Sequence, residues 1–231
     1  MGWKEYYQTC PESYYCRVGH GLLKKVLEES SCSPLAKKES LKLVLGGFSP
    51  QSLTATTFVR DCLGFRPQKK DEIYLLDFNR QPFKEISLPS LSQEKKLFFL
   101  QADLTKMPFA NESLDLIWLD GTTSFMNNQN LIDFGRETRR VLTREGIAIS
   151  FSHEPLICLF PSSGVSYSCW VNKTQVYSRS VQENLSLLKD LKLIWHLDGD
   201  QETALVFAKN NSPYSPFSGL PFALEAVNEN F

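Results

Sequence analysis

Two short apolar segments and the polar loop between them make up residues 97–121, LFFLQADLTKMPFANESLDLIWLDG. Residues 97–100 and 114–119 are almost continuously apolar, which is typical of parallel strands that are buried on both faces. An acidic residue follows each segment, Asp103 after the first and Asp120 after the second. This stretch indicates a parallel sheet whose strand ends carry polar groups.

The same alternation of strands and helices extends in both directions. Upstream, residues 41–45 and 73–76 are predicted strands, and the helix between them has apolar residues at i, i+3, i+4, i+7 and i+8. Downstream, an amphipathic helix precedes a fifth predicted strand at residues 147–151. The apolar faces of these two helices are formed by Ala55, Phe58, Val59, Cys62 and Leu63, and by Leu131, Phe134, Gly135, Thr138, Val141 and Leu142.

The C-terminal third has a different pattern. Residues 154–179 look like an aromatic-rich loop, and Ser180 begins a capping box for a helix that carries Leu185, Leu188 and Leu191 on one face. Residues 193–197 and 204–208 are predicted strands with only six residues between them, so they form an antiparallel hairpin. Residues 79–96 contain two prolines and leave room for a short helix only.

These elements predict an α/β fold of the doubly wound type. The sheet is expected to have seven strands, mostly parallel, with helices on both faces and a C-terminal antiparallel hairpin. Residues 1–40 are interpreted as an N-terminal helical or lid segment, residues 41–209 as the α/β domain, and residues 210–231 as a flexible tail.

Composition excludes several classes of protein. Lys and Arg number 25 against 26 Asp and Glu, which argues against nucleic-acid binding. No apolar run reaches the roughly 20 residues of a membrane span, and the N-terminus has no apolar signal region. The six cysteines form no C-x-x-C pair and the three histidines are scattered, so no metal site is expected. We expect a cytoplasmic protein with reduced thiols that contacts neither membrane nor nucleic acid.

Ligands of such sheets bind at the carboxyl ends of the strands, where the strand order reverses. The residues that follow the five predicted strands are Gly46 and Gly47, Asp77, Asp103, Asp120 with Gly121, and His153. Glycines let the backbone approach a ligand closely, and a carboxylate can accept hydrogen bonds from ribose hydroxyls. Taken singly, each residue has an ordinary structural explanation, because paired glycines form turns and aspartates cap helices.

Two segments resemble the class I S-adenosylmethionine-dependent methyltransferases, in particular the type 11 group. Residues 103–117, DLTKMPFANESLDLI, are similar to the segment that leads into the family's fourth strand. Residues 137–146, ETRRVLTREG, are similar to the Arg-Val-Leu-Lys-Pro-Gly-Gly segment before its fifth strand. The final helix and hairpin also match the family's layout, so the resemblance covers about residues 40–209 and implies a Rossmann-like methyltransferase fold.

The resemblance implies S-adenosylmethionine as cofactor and a role for each matching position. Asp77 would hold the ribose, and Phe78 could cover the adenine face. Asp103 would approach the adenine amine beside the backbone N–H of Leu104. Gly46 and Gly47 would lie under the methionine part, and Asp120 and Gly121 would line the site near the sulfonium, where negative charge suits the cation.

Methyl transfer from a sulfonium needs mainly proximity and orientation, and a general base is required only when the nucleophile must lose a proton. His153 is the candidate base and Asp120 the second catalytic candidate, although a loop histidine often has no catalytic role. We expect a small-molecule acceptor. The sequence indicates neither the oligomeric state nor the acceptor's identity.

The first loop departs from the family's pattern of an acidic residue followed by Gly-x-Gly-x-Gly. Here it is VLGGFSP, residues 44–50, with no acidic residue before the glycines and with a proline that lacks an N–H donor. This departure motivates a second hypothesis, a non-catalytic partner or scaffold protein that retains the fold. A nicotinamide-dependent oxidoreductase is a third, and the absence of Gly-x-Gly-x-x-Gly argues against it.

Overall fold

A computed structural model of the chain describes residues 26–27, 33–48, 54–67, 69–80, 84, 96–153, 167–171, 174–179, 181–198 and 202–215. The strands in these residues are β1 (Lys42–Gly46), β2 (Glu72–Asp77), β3 (Lys96–Gln101), β4 (Leu114–Asp120), β5 (Leu142–His153), β6 (Tyr167–Val171), β7 (Thr174–Ser178), β8 (Leu191–Asp198) and β9 (Glu202–Lys209). The helices are α1 (Ser33–Lys37), α2 (Thr54–Phe65), α3 (Asn128–Val141) and α4 (Val181–Leu187), with a short 3-10 helix at Thr122–Phe125.

Seven strands form one sheet in the order β3-β2-β1-β4-β5-β9-β8. Neighbours from β3 to β5 pair in parallel, whereas β9 runs antiparallel to both β5 and β8. This confirms the predicted mostly parallel seven-stranded sheet with a C-terminal antiparallel hairpin. The strand order reverses between β1 and β4, so the carboxyl ends of these two strands mark the switch point of the sheet.

The core lies on both faces of the sheet, because successive strand residues point to opposite faces. Leu43 and Trp118 face one side, where Phe58 of α2 and Leu35 of α1 cover them. Val44 and Ile117 face the other side, under α3 and α4. The side chains that cover this second face include Leu131, Phe134, Val141 and Leu188. Helices therefore cover both faces, as predicted.

Several predicted boundaries are wrong. Gly46 lies within β1, and α2 continues past Gly64 to Phe65. Leu142 and Leu191, both predicted to lie on helices, instead begin β5 and β8. Both side chains are buried, so a strand satisfies the same apolar pattern that we interpreted as helical. Leu142 leaves the helix because its backbone is extended, with φ −64° and ψ 139°.

The region predicted as a loop, residues 154–179, contains an antiparallel hairpin of β6 and β7, in which Tyr167 pairs with Ser178 and Val171 with Thr174. Its aromatic and β-branched residues are those that favour strands. The rest of this region, and most of the predicted short helix at residues 79–96, lie outside the described residues. Two described helical residues, Val26 and Leu27, are buried in the core.

Two segments outside the predicted α/β domain pack against it. Pro34, which we expected to break the chain, is the second residue of α1, where the first turn tolerates a missing N–H. Tyr214 is buried, and its hydroxyl donates a hydrogen bond of 2.6 Å to the Glu145 carbonyl. Within residues 210–215, Ser212 and Tyr214 are buried and the other four residues are exposed. Among the described helices, none has the length and apolar character needed to cross a membrane.

Candidate functional site

The switch point brings β1 and β4 side by side, with Gly46 paired to Leu119 and β2 on the other side of β1. Residues at the ends of these strands therefore meet at one edge of the sheet. Gly46, Gly47, Asp77 and Leu104 come together there. Asp120 ends β4, and Gly121 follows it at the start of the 3-10 helix.

The glycine turn after β1 depends on both glycines. Gly47 has φ +66°, a left-handed conformation that disfavours other residues, and its N–H donates to the Leu76 carbonyl at 2.8 Å. A Cβ atom on Gly46 would lie 2.5 Å from Leu104 Cδ2 and 2.8 Å from Leu119 Cδ2. A Cβ atom on Gly47 would lie 2.5 Å from Thr122 Oγ1. Protein side chains therefore already fill the space beside both glycines.

Asp77 is buried, with 7% of its surface exposed, at the end of β2. Its Oδ2 accepts the Phe48 N–H at 3.2 Å, and its Oδ1 accepts the Asn79 N–H at 2.7 Å. Burial raises the pKa of Asp77, while the hydrogen bonds from Asn79 and Phe48 act in the opposite direction. The carboxylate thus connects the end of β2 to the glycine turn.

Thr122, which sequence reasoning did not single out, closes the turn from the side of β4. Its hydroxyl lies 3.0 Å from the Gly46 carbonyl oxygen and 3.2 Å from that of Gly47, and it donates to this pair. Gly121, with φ +66°, redirects the chain from β4 into the 3-10 helix and so aims Thr122 at the turn. The only available signal was its position, directly after Asp120 and Gly121 at a strand end.

Asp103 and Leu104 follow β3, and the first side chain is exposed whereas the second is buried. Asp103 is exposed, and its Oδ1 accepts hydrogen bonds from the backbone N–H of Thr105 at 2.8 Å and from its hydroxyl at 2.9 Å. Leu104 is buried against Gly46. Phe78, the residue after Asp77, is 78% exposed, and its carbonyl accepts the Gln101 side chain at 3.1 Å.

The two catalytic candidates are placed by their strands. Asp120 ends β4, where it pairs with Phe151, and His153 is the last residue of β5, where it pairs with Glu202. Their backbones end neighbouring parallel strands, whereas their side chains lie outside the described part of the structure. Among the described residues, no group of three His, Cys, Asp or Glu side chains could hold a metal ion.

Arg179, at the end of the β6–β7 hairpin, was also missed. Its guanidinium donates to the Met126 carbonyl at 2.5 Å, to the Thr123 carbonyl at 3.3 Å and to Asn128 Oδ1 at 3.1 Å. It also lies 4.8 Å from the centre of the Tyr177 ring, a cation–π distance. Burial lowers the pKa of Arg179. The hairpin is thereby fastened to the segment that follows β4, next to the switch point.

A second hydrogen bond joins the 3-10 helix after β4 to β5. The hydroxyls of Thr123 and Ser150 are 3.1 Å apart in a buried hydrogen bond. Because Ser150 precedes the carboxyl end of β5, the 3-10 helix is held between β1, through Thr122, and β5, through Thr123. The three strand ends nearest the switch point are thus joined by hydrogen bonds.

Comparisons with known proteins relate the fold and part of the sequence to methyltransferases. The family model described as a methyltransferase domain matches residues 63–150. This match and the fold confirm the resemblance to class I S-adenosylmethionine-dependent methyltransferases that the sequence indicates. No curated protein matches the chain.

Solved structures agree on the fold. An S-adenosylmethionine-dependent methyltransferase from Clostridium acetobutylicum has a TM-score of 0.64 at 9% identity, covering 89% of this chain and 96% of that one. The PH0226 protein from Pyrococcus horikoshii has a TM-score of 0.57 at 15% identity, covering 90% and 100%. A chain from the complex of the Haloferax volcanii Trm112 methyltransferase activator with a protein described as a methyltransferase has a TM-score of 0.57 at 13% identity, covering 90% and 94%.

Proposed function

We propose that this chain binds S-adenosylmethionine at the carboxyl edge of the sheet and transfers its methyl group to a small-molecule acceptor. The observation that carries the proposal is Asp77, a buried carboxylate at the end of β2 that is hydrogen-bonded to the glycine turn after β1. Burying a carboxylate is costly unless it has partners. A ligand with hydroxyl donors would use the acceptor capacity that remains at this position.

The adenosine half of the cofactor fits the residues present. Each carboxylate oxygen has two lone-pair sites, and the described structure gives each oxygen of Asp77 one donor, so a ribose diol can add two more. Phe78 offers an exposed aromatic ring next to this position. The Asp103–Leu104 turn would hold the adenine amine, through the Asp103 carboxylate and the Leu104 backbone.

The methionine half would lie along Gly46 and Gly47. The carbonyls of both glycines point toward the Thr122 hydroxyl, and each carbonyl oxygen can accept a second hydrogen bond, for example from an ammonium group. Leu104 and Thr122 occupy the space beside the glycine Cα atoms, so the ligand must approach from the other side of the turn. In this proposal Thr122 fixes the turn, and Asp120 and Gly121 line the sulfonium end.

The cofactor, when bound, supplies an activated methyl group, so the protein's task is mainly orientation. The carboxylate of Asp120 would favour the positive charge near the acceptor. His153, two residues beyond the β5 position that pairs with Asp120, would take a proton if the acceptor must lose one. The β6–β7 hairpin, which Arg179 holds against the segment after β4, would line the acceptor side of the site.

A second function, a non-catalytic partner protein, is favoured by one structural observation. The space beside Gly46 and Gly47 is filled by Leu104 and Thr122, and the first loop carries no acidic residue before its glycines. The Haloferax volcanii structure is a complex with an activator protein. Such a protein would keep the fold for contact with a partner and would bind the cofactor weakly or not at all.

Methyl transfer is tested with S-adenosylmethionine and an extract of small metabolites, by measuring S-adenosylhomocysteine by mass spectrometry. Wild-type protein should release product in proportion to enzyme, Asp77→Ala should lose most of this activity, and Asp133→Ala should retain it. Asp133 is the matched control because it is an aspartate on α3 whose side chain is 40% exposed. No product from protein that binds S-adenosylhomocysteine would exclude a small-molecule acceptor from that extract. No binding at all would favour the partner function.

The cytoplasmic location expected from the sequence stays a proposal. Fractionation of cells that express the tagged full chain would place the protein, and recovery in the membrane or secreted fraction would contradict the proposal.

A further inference from the structure

All five N–H groups of Arg140, on the last turn of α3, are used in hydrogen bonds. Two of these bonds form a fork with Glu137, from Nε to Oε2 at 2.8 Å and from Nη2 to Oε1 at 2.6 Å. The others reach the loop between β3 and β4, at the carbonyls of Phe109 (2.8 Å) and Met107 (3.0 Å) and at Asn111 Oδ1 (2.9 Å). Glu137 Oε1 also accepts the Met107 N–H at 2.7 Å. Glu137 and Arg140 therefore hydrogen-bond the backbone N–H and the carbonyl of Met107.

Met107 is buried and lies three residues after Leu104. The turn between them is closed by the Lys106 N–H, which donates to the Asp103 carbonyl at 2.9 Å. On its other side, the Ala102 N–H donates to the Asp77 carbonyl at 3.0 Å. The Asp103–Lys106 turn is thus held between two fixed points, one on β2 and one on α3.

We propose that Glu137 and Arg140 are positioning residues for the adenine end of the cofactor site. They touch no cofactor themselves. They hold Met107, and through it the turn that presents the Asp103 carboxylate and the Leu104 backbone. The inference rests on the proposed function, because it assigns this turn to adenine binding.

The physical reason is preorganisation. Ordering a backbone segment on binding reduces the binding free energy. A turn that is already fixed in the free protein therefore gives tighter binding. Arginine suits this task because its planar fork can hold a carboxylate and backbone carbonyls at once, whereas the point charge of lysine cannot. The side chain of Glu137 is only 12% exposed, which limits competition from water.

The test uses Glu137→Gln and Arg140→Lys, which keep size or charge but break the fork. Arg139→Lys is the matched control, since Arg139 lies on the same helix, 58% exposed, and points to Asp190 instead. Calorimetry measures the dissociation constants for S-adenosylhomocysteine and for adenosine. Both constants should rise about tenfold in the two variants and stay unchanged in the control. Equal losses for both ligands would locate the effect at the adenosine end.

Hydrogen exchange distinguishes local positioning of the Asp103–Lys106 turn from a general effect on the stability of the fold. In the ligand-free variants, amides of residues 104–107 should exchange faster, while those of β1 and β4 keep wild-type rates, and saturating S-adenosylhomocysteine should restore protection at 104–107. Faster exchange throughout the sheet would overturn the positioning role, because it reports general destabilisation. Wild-type affinity in both variants would also overturn it. A wild-type protein that binds neither ligand would instead overturn the proposed function, and this inference with it.

Discussion

Substituting Gly47 with alanine tests the packing of the glycine turn. At φ +66° a Cβ atom costs about 1–2 kcal/mol in any L-residue. The same atom would lie 2.5 Å from Thr122 Oγ1 and 2.7 Å from Thr122 Cγ2. Overpacking of this kind typically adds about 1–3 kcal/mol. We expect Gly47→Ala to lower the free energy of unfolding by about 2–5 kcal/mol.

Removing the Thr122 side chain separates the two costs. Thr122→Ala alone loses the hydroxyl that bridges two carbonyls, worth about 1 kcal/mol. In the double variant the clash with Oγ1 and Cγ2 disappears, and only the left-handed backbone cost and the lost hydroxyl remain. The double variant should therefore be more stable than the sum of the single effects by about 1–3 kcal/mol.

The assay is urea denaturation followed by circular dichroism. Wild type, the two single variants and the double variant are measured under the same conditions. Gly64→Ala is the control, because a Cβ atom at Gly64 meets nothing within 4 Å and should stabilise helix α2. Single effects that add to within about 0.5 kcal/mol would contradict the predicted coupling between Gly47 and Thr122. That result would mean that Thr122 does not close over Gly47 in the folded protein.

Three further predictions concern other parts of the structure. Asp71→Ala leaves the buried guanidinium of Arg66 without its carboxylate, and urea denaturation should show a loss of about 3–5 kcal/mol. Arg179→Ala should speed hydrogen exchange in residues 167–178 but not in β1, and unchanged exchange would show that the hairpin is held otherwise. Since burial raises the pKa of Asp77, its protonated form favours folding, and that contribution is lost as the pH rises through the folded pKa. The stability of Asp77→Asn relative to wild type should therefore rise between about pH 3 and about pH 7, and a flat difference would contradict the raised pKa.

The sheet and its helices could be predicted because their signal is local. Apolar strands such as residues 114–119 and the periodic face of α3 are visible in a few consecutive residues. The errors occurred where one apolar residue can end a helix or begin a strand equally well. Leu142 and Leu191 are buried in either case, so periodicity could not assign them.

The site could be predicted only in part, for a physical reason. Strand ends are visible in the sequence, so the position of Gly46, Gly47 and Asp77 at one edge of the sheet could be predicted, while their roles in binding stay predictions. Thr122 and Arg179 act through contacts with residues far away in the sequence, 76 positions in the bond from Thr122 to Gly46 and 53 in the bond from Arg179 to Met126. No local pattern encodes such contacts. The β6–β7 hairpin was missed because the aromatic residues of a strand also suit a substrate loop.

The buried ion pair of Arg66 and Asp71 shows the same limit. The two residues are five positions apart, yet their role depends on burial and on the Arg66 bonds to the carbonyls of Ala36 and Lys38. In the sequence they look like two ordinary surface charges near the end of α2. Only the packing of α1 against this region reveals that they are buried.

The proposed cofactor site is tested by calorimetry of S-adenosylmethionine and S-adenosylhomocysteine binding to wild type, Asp77→Ala and the control Asp133→Ala. We expect micromolar binding by wild type and by the control, weakened at least about tenfold, or about 1.4 kcal/mol, in Asp77→Ala. Wild-type affinity in Asp77→Ala would show that the ligand binds elsewhere. No heat with either ligand, from wild-type protein that unfolds cooperatively, would contradict cofactor binding at this edge of the sheet and would favour the partner function.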